Sequence, residues 1–142
     1  MANALPLIVC SAFLVIALWH FQMAARLPRG ESAAVPSVDG KPVFVPSAPG
    51  TVAIGVALTL CAVLVAGTAG LISLGVPIVV LRWLCSALAL GLAARAVGDF
   101  RYVGFFKRVR GSKFATFDTF VYSPLCVLLG AGVALVAYRA AG

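Results

Sequence analysis

Arg95-Ala-Val-Gly-Asp-Phe-Arg-Tyr-Val-Gly-Phe-Phe-Lys-Arg-Val-Arg-Gly-Ser-Lys113 gathers Arg95, Arg101, Lys107, Arg108, Arg110 and Lys113 around Phe100, Tyr102, Phe105 and Phe106. Nearly everything on either side is apolar. That contrast decides the fold class, because a chain that crosses a bilayer concentrates Lys and Arg where it stays in the cytoplasm and meets anionic headgroups. The stretch is therefore expected to be a basic, aromatic loop between transmembrane helices.

The whole composition agrees. The chain has 142 residues, 63% hydrophobic and 11% charged, with a mean hydropathy of +1.10, whereas soluble domains carry about 25% charged residues. A crossing needs about 20 apolar residues, so there is room for four spans and two substantial loops in one membrane domain. A formal charge of +7 in a soluble protein would suggest nucleic acid. Here the cations stand beside apolar spans, where lipid phosphate is the nearer partner, so nucleic-acid binding is not expected.

The spans are expected near residues 5–23, 51–71, 78–97 and 119–138, giving an all-α, four-helix membrane bundle. A secretory signal is the competing reading of the first span, but it expects a basic n-region and a shorter apolar core, and Met1-Ala-Asn-Ala has no basic side chain. Between the first two spans lie Pro28, Pro36, Pro42, Pro46 and Pro49 with Arg26, Arg29, Glu31, Asp39 and Lys41, a proline-rich loop that stays extended or turned. Asp39-Gly40 between Val35 to Val38 and Val43 to Val45 suits a short hairpin there, although Pro42 weakens it. Residues 72–77, with Gly75 and Pro77, are only long enough to turn, so the second and third spans are expected to form a helical hairpin.

Small side chains mark the expected packing faces: Ala62, Ala66 and Gly70 on the second helix, Ala87 and Gly91 beside Arg95 on the third, and Gly130, Ala131, Gly132 and Ala134 on the fourth. The same pattern serves a homodimer seam. Ser123-Pro124 resembles a helix start, but a helix beginning there is short for a crossing. Asp118 or Thr119 as N-cap gives adequate length, with Pro124 loosening the first turns.

Counting Lys and Arg by side gives the orientation. Arg26, Arg29, Lys41 and the six cations of the third loop share one face, against Arg139 on the other, with Arg82 just inside the third span. The positive-inside rule then puts the loops in the cytoplasm and both termini outside. Arg82 has no carboxylate at its own depth, since Glu31, Asp39, Asp99 and Asp118 all belong to the opposite loops. It is expected to snorkel outward beside Trp83.

Candidates for chemistry are few. Cys10, Cys61, Cys85 and Cys126 fall one per helix without a Cys-x-x-Cys pair, and His20 is the only histidine. Thiol redox chemistry and a metal site are therefore not expected, and no cofactor is implied; the thiols read as small apolar side chains at helix contacts. His20, Asp99, Asp118 and Tyr122 are expected at similar depth beneath the basic loop. His20, Arg95, Asp99 and Asp118 are expected to meet there as a weak catalytic or phosphate-binding cluster. The plainer alternatives are a singly bonded imidazole for His20, a pair with Arg95 for Asp99, and a helix cap for Asp118. The headgroup-binding set is expected to be Arg95, Arg101, Lys107, Arg108, Arg110 and Lys113, on a short interfacial helix with rings down and cations up; setting topology alone is the competing role.

The string Arg95 to Val109, followed by Phe114-Ala, Asp118-Thr119 and Tyr122-Ser-Pro-Leu-Cys126, resembles a family of small bacterial four-helix membrane proteins known as domain of unknown function 3995. Trp19-His20, Pro36, Gly40, Phe44 and Pro46-Ser47 are similar to its first helix and first loop. The resemblance implies a fold and a bacterial plasma membrane, and carries no catalytic residue. Three function classes follow in order: a non-enzymatic component binding anionic lipid or a membrane protein partner, with homo-oligomers allowed; an interfacial enzyme acting on a lipid-like or phosphate-bearing amphiphile; and a transporter. Transport ranks last because the expected membrane interior has no acid or histidine relay.

Overall fold

The computed structural model describes residues 4–26, 35–38, 41–43 and 45–141. Pro28, Arg29, Glu31, Asp39, Gly40 and Phe44 lie outside the described residues. Among the described residues four helices are long and apolar enough to cross a membrane: helix one Ala4–Ala25, helix two Ala48–Thr68, helix three Ile78–Val97 and helix four Lys113–Arg139. In the first loop Ser37–Val38 pairs antiparallel with Lys41–Pro42, and the Val43 N–H closes the ladder onto the Pro36 carbonyl at 2.8 Å. The first strand falls within the expected 35–38, but the second is Lys41–Pro42 in place of the expected 43–45, so Pro42 itself lies in the ladder; the Asp39-Gly40 turn is outside the described residues.

Helix boundaries follow from caps. Helix two starts three residues before the expected Thr51 because the Ser47 hydroxyl accepts from the Gly50 N–H, and Pro49 occupies a first-turn position whose donor is not needed. It ends at Thr68, where Gly70 turns left-handed (φ 71°) and the Leu71 N–H reaches back to the Ala66 carbonyl at 2.9 Å. Gly70 thus terminates the helix and does not serve the packing face expected of it. Helix four starts at Lys113 because the Ser112 hydroxyl accepts from the Ala115 N–H at 3.0 Å. The expected caps Asp118 and Thr119 are instead inside the helix.

Helix four runs 27 residues, about 40 Å at about 1.5 Å per residue, so its first turns extend past an apolar core of about 30 Å. From Asp118 to Tyr122 it widens into a π turn, in which the Ser123 N–H bonds to the Asp118 carbonyl. Pro124 accounts for the location: it has no N–H for the Phe120 carbonyl, and its ring crowds that carbonyl in a regular α turn. The loosening expected from Pro124 takes this form.

Packing differs from expectation. Helices two and three are joined by the short 69–77 turn yet touch only sparingly; helix one lies along helix two, and helix three along helix four. The pairs meet in a core of Val9, Phe13, Ala62, Val65, Cys85, Leu129 and Val133. Glycines set the close approaches. At Gly132 a Cβ would run into Val9, at Gly55 into the Phe21 ring, and at Gly130 it would press on the Ala89 carbonyl and Leu92. Ala87 and Gly91 are exposed, with open space over Gly91. The third helix packs through Ala89 and Leu92, a different face from the one that the small-residue spacing suggested.

Candidate functional site

Asp118 organises the basic loop. Its side chain is fully buried, with Oδ1 accepting from Arg95 Nη2 at 2.7 Å and Oδ2 accepting from the Gly104 N–H at 2.6 Å and Lys107 Nζ at 3.0 Å. The π turn places it there, one turn inside a helix, facing the loop that precedes that helix. Lys107 is only 2% exposed. Besides Asp118, its ammonium donates to the Gly104 carbonyl at 3.0 Å and to Thr119 Oγ1 at 2.6 Å. An ammonium has three hydrogens, so this lysine is saturated. A buried carboxylate between two cations, with a backbone N–H as a third donor, is what tolerates removal from water.

The loop backbone is shaped to reach this clamp. Gly98 (φ 91°) and Gly104 (φ 86°) face each other so closely that a Cβ on either would enter the other strand's backbone, and both use the left-handed region. The Phe105 N–H donates to the Ala96 carbonyl and the Val109 N–H to the Arg101 carbonyl, each at 2.9 Å. Asp99 Oδ1 accepts from the N–H groups of Arg101, Tyr102 and Val103 at 2.9, 2.7 and 3.0 Å. Those bonds, that from Val103 foremost, hold the Asp99 carboxyl below its ordinary range, against a smaller opposing effect of burial.

The expected four-residue cluster is thereby divided. Arg95 and Asp118 meet. Asp99 caps its own loop and does not pair with Arg95. His20 is engaged elsewhere: its Nδ1 lies 2.8 Å from the Ile16 carbonyl, its ring meets Trp19 edge-on, and among the described residues no hydrogen bond or ion pair joins it to Arg95, Asp99 or Asp118. This is the singly bonded imidazole of the plainer reading. Tyr122 packs its ring near Phe114 and Phe117.

The headgroup set divides as well. Lys107 points inward, and Arg95 is shared between clamp and surface, its side chain 35% exposed. Arg101, Arg108, Arg110 and Lys113 are exposed, as are the rings of Phe100, Phe105 and Phe106. The Arg101 guanidinium lies 5.0 Å from the centre of the Tyr102 ring. No interfacial helix forms between residues 98 and 112, because Gly98, Gly104 and Gly111 adopt left-handed conformations and the backbone bonds cross the loop. Cations and rings interleave on a folded lasso instead.

The roles of Gly98, Gly104 and Thr119 in the clamp were not among the expectations. The available signal was three glycines, at 98, 104 and 111, within a loop containing one lysine amid arginines, ahead of an acidic residue placed six before a proline. The thiols behave as helix contacts: Cys10 Sγ donates to the Ala62 carbonyl at 3.4 Å and Cys85 Sγ lies 3.2 Å from Thr68 Oγ1.

No curated protein and no solved structure matches the chain. A family model described as Protein of unknown function (DUF3995) matches residues 13–133. That span runs from the core residue Phe13 to the core residue Val133 and takes in the entire clamp, so the chain, with its four apolar helices, belongs to this family of proteins of unknown function.

Proposed function

We propose that this protein is a non-enzymatic component of a bacterial plasma membrane that binds anionic lipid headgroups through its third loop, on the cytoplasmic side, with both termini outside. The observation that carries this reading is the division of labour among the cations. Lys107 and Arg95 balance Asp118 within the fold, while Arg101, Arg108, Arg110 and Lys113 face outward beside exposed phenylalanine rings. A loop needed only for topology has no use for a buried clamp. Cations held in a fixed array beside rings match a headgroup layer, with phosphate above and acyl chains below.

An interfacial enzyme fits less well, since the candidate groups are not brought together. Asp118 has three donors, Asp99 Oδ1 has three backbone donors, and the Nδ1 of His20 is bonded within its own helix. Among the described residues no hydrogen bond or ion pair joins His20 to either acid, so no acid–base pair is assembled. A membrane protein partner reading the same array is the second outcome of the test.

The test uses the full chain reconstituted in phosphatidylcholine vesicles with increasing phosphatidylglycerol. At about 1 kcal/mol per cation near an anionic surface, changing Arg101, Arg108 and Arg110 together to Gln should weaken phosphatidylglycerol retention by about 3 kcal/mol, roughly a hundredfold. The loss should shrink as salt is raised. Unchanged retention would overturn the lipid reading.

A further inference from the structure

Helices three and four leave a groove of about 870 Å³ along their outer seam. Ala89, Ala93, Ala131 and Ala134 form its shallow walls; Arg82, Trp83 and Tyr138 stand at one end and Phe105 of the basic loop at the other. Its size bears on what fits. Val79 and Val97 on its wall are eighteen residues apart, about 27 Å of helix at about 1.5 Å per residue. An apolar trough of that length and volume has room for an acyl chain lying along the helices.

Arg82 supplies the second feature. Its Nε is buried and has no hydrogen-bond partner. The carboxylates among the described residues, Asp99 and Asp118, belong to the other end of helix three: Arg95, which holds Asp118, is thirteen residues further on, about 20 Å along the axis. Trp83 and Tyr138 beside it are 73% and 78% exposed, as suits rings at the headgroup level. A guanidinium with no ion pair among the described residues, at an aromatic belt and lining an apolar slot, complements a phosphate carrying a fatty chain.

We propose that this groove binds one phospholipid of the leaflet facing the 69–77 turn, anionic species preferred, with an acyl chain between helices three and four and its phosphate against Arg82. Its headgroup end, at Arg82, is at the opposite end of helix three from the basic loop and does not depend on that loop's cations.

Trp83 reports on it directly. In full-length protein carrying Trp19→Phe, Trp83 is the remaining tryptophan, and its emission can be followed in phosphatidylcholine vesicles containing chain-brominated phosphatidylglycerol. Quenching by this lipid should exceed quenching by equally brominated phosphatidylcholine. Arg82→Gln should reduce the preference several-fold and Arg82→Lys should retain much of it. Ala134→Phe, which fills the groove from an exposed position, should weaken quenching by both lipids. The triple loop variant at Arg101, Arg108 and Arg110 should leave the preference unchanged, which separates this site from the loop. The proposal is overturned if Arg82→Gln quenches like the parent protein, or if inorganic phosphate abolishes the preference, which would indicate a free-anion site. It is also overturned if Ala134→Phe leaves quenching intact while shifting the monomer–dimer equilibrium, which would assign the groove to a second copy.

Discussion

At the scale of single residues, Asp118 and Lys107 are coupled tightly enough that neither can be removed alone without exposing the other's cost. Asp118→Asn leaves a buried ammonium without its counter-charge, and breaking such a pair typically costs about 3–5 kcal/mol. A lower midpoint of thermal unfolding in detergent for Asp118→Asn, with partial recovery in Asp118→Leu/Lys107→Met, is the expected result; equal losses for the single and double variants would remove the coupling. Asp99 behaves differently because it is exposed and its partners are backbone N–H groups. Its folded value lies below the ordinary carboxylate range. The stabilisation is therefore full above that range and is lost as pH falls through the lowered folded value. Asp99→Asn keeps an acceptor oxygen but cannot titrate. Its melting temperature should be less sensitive to acid than that of the parent protein, whereas parallel acid profiles would show that Asp99 contributes nothing measurable.

At the scale of elements, the loop from Gly98 to Ser112 owes its shape to glycine and not to helix propensity. Gly104→Ala forces a left-handed alanine, which costs about 1–2 kcal/mol, and drives its Cβ into the Val97–Gly98 backbone. The loop should detach from helix three, and trypsin should then cut at Lys107 and Arg108 at least tenfold faster in folded protein; an unchanged cleavage rate would show that the opposing glycines do not hold it. The elements differ in how far they can be read from residues alone. Apolar runs of about 20 residues announce the spans because nothing else in a short chain needs them, and Pro, Gly and Ser mark the turns. The interfacial helix was misjudged because alternating cations and rings look the same on a helix as on a lasso; the positive φ at Gly98, Phe100, Gly104 and Gly111 distinguishes them. The site was half legible. Proximity of Arg95 and Asp118 follows from both lying at the same end of neighbouring helices, but the partner of Lys107 depends on a π turn, for which Pro124 gives the place and not the direction in which Asp118 faces.

At the scale of the whole molecule, two helix pairs meet in one apolar core, and the outward faces of helices one and three are rich in exposed Leu, Val and Ile. Such faces are solvated by lipid tails. The pairing of one with two and three with four could not be chosen from small-residue spacing, because Ala and Gly occur on several faces and packing selects among them. Orientation rests on the Lys and Arg imbalance. In a background where Cys10, Cys61, Cys85 and Cys126 are replaced, Ser73→Cys should react with an impermeant maleimide outside intact cells, and Arg108→Cys, exposed on the loop, should not. The reverse labelling would invert the topology and place the basic array on the opposite membrane surface.

The central claim is that the clamp presents the outer cations to lipid as a fixed array. Asp118→Asn separates this from a pure charge effect, since it removes no outward cation and makes the protein more positive. The decisive measurement is phosphatidylglycerol retention in mixed vesicles by Asp118→Asn whose far-ultraviolet circular dichroism shows the helices intact. Retention reduced severalfold despite the added positive charge is the predicted result; retention equal to or stronger than that of the parent protein would contradict the account.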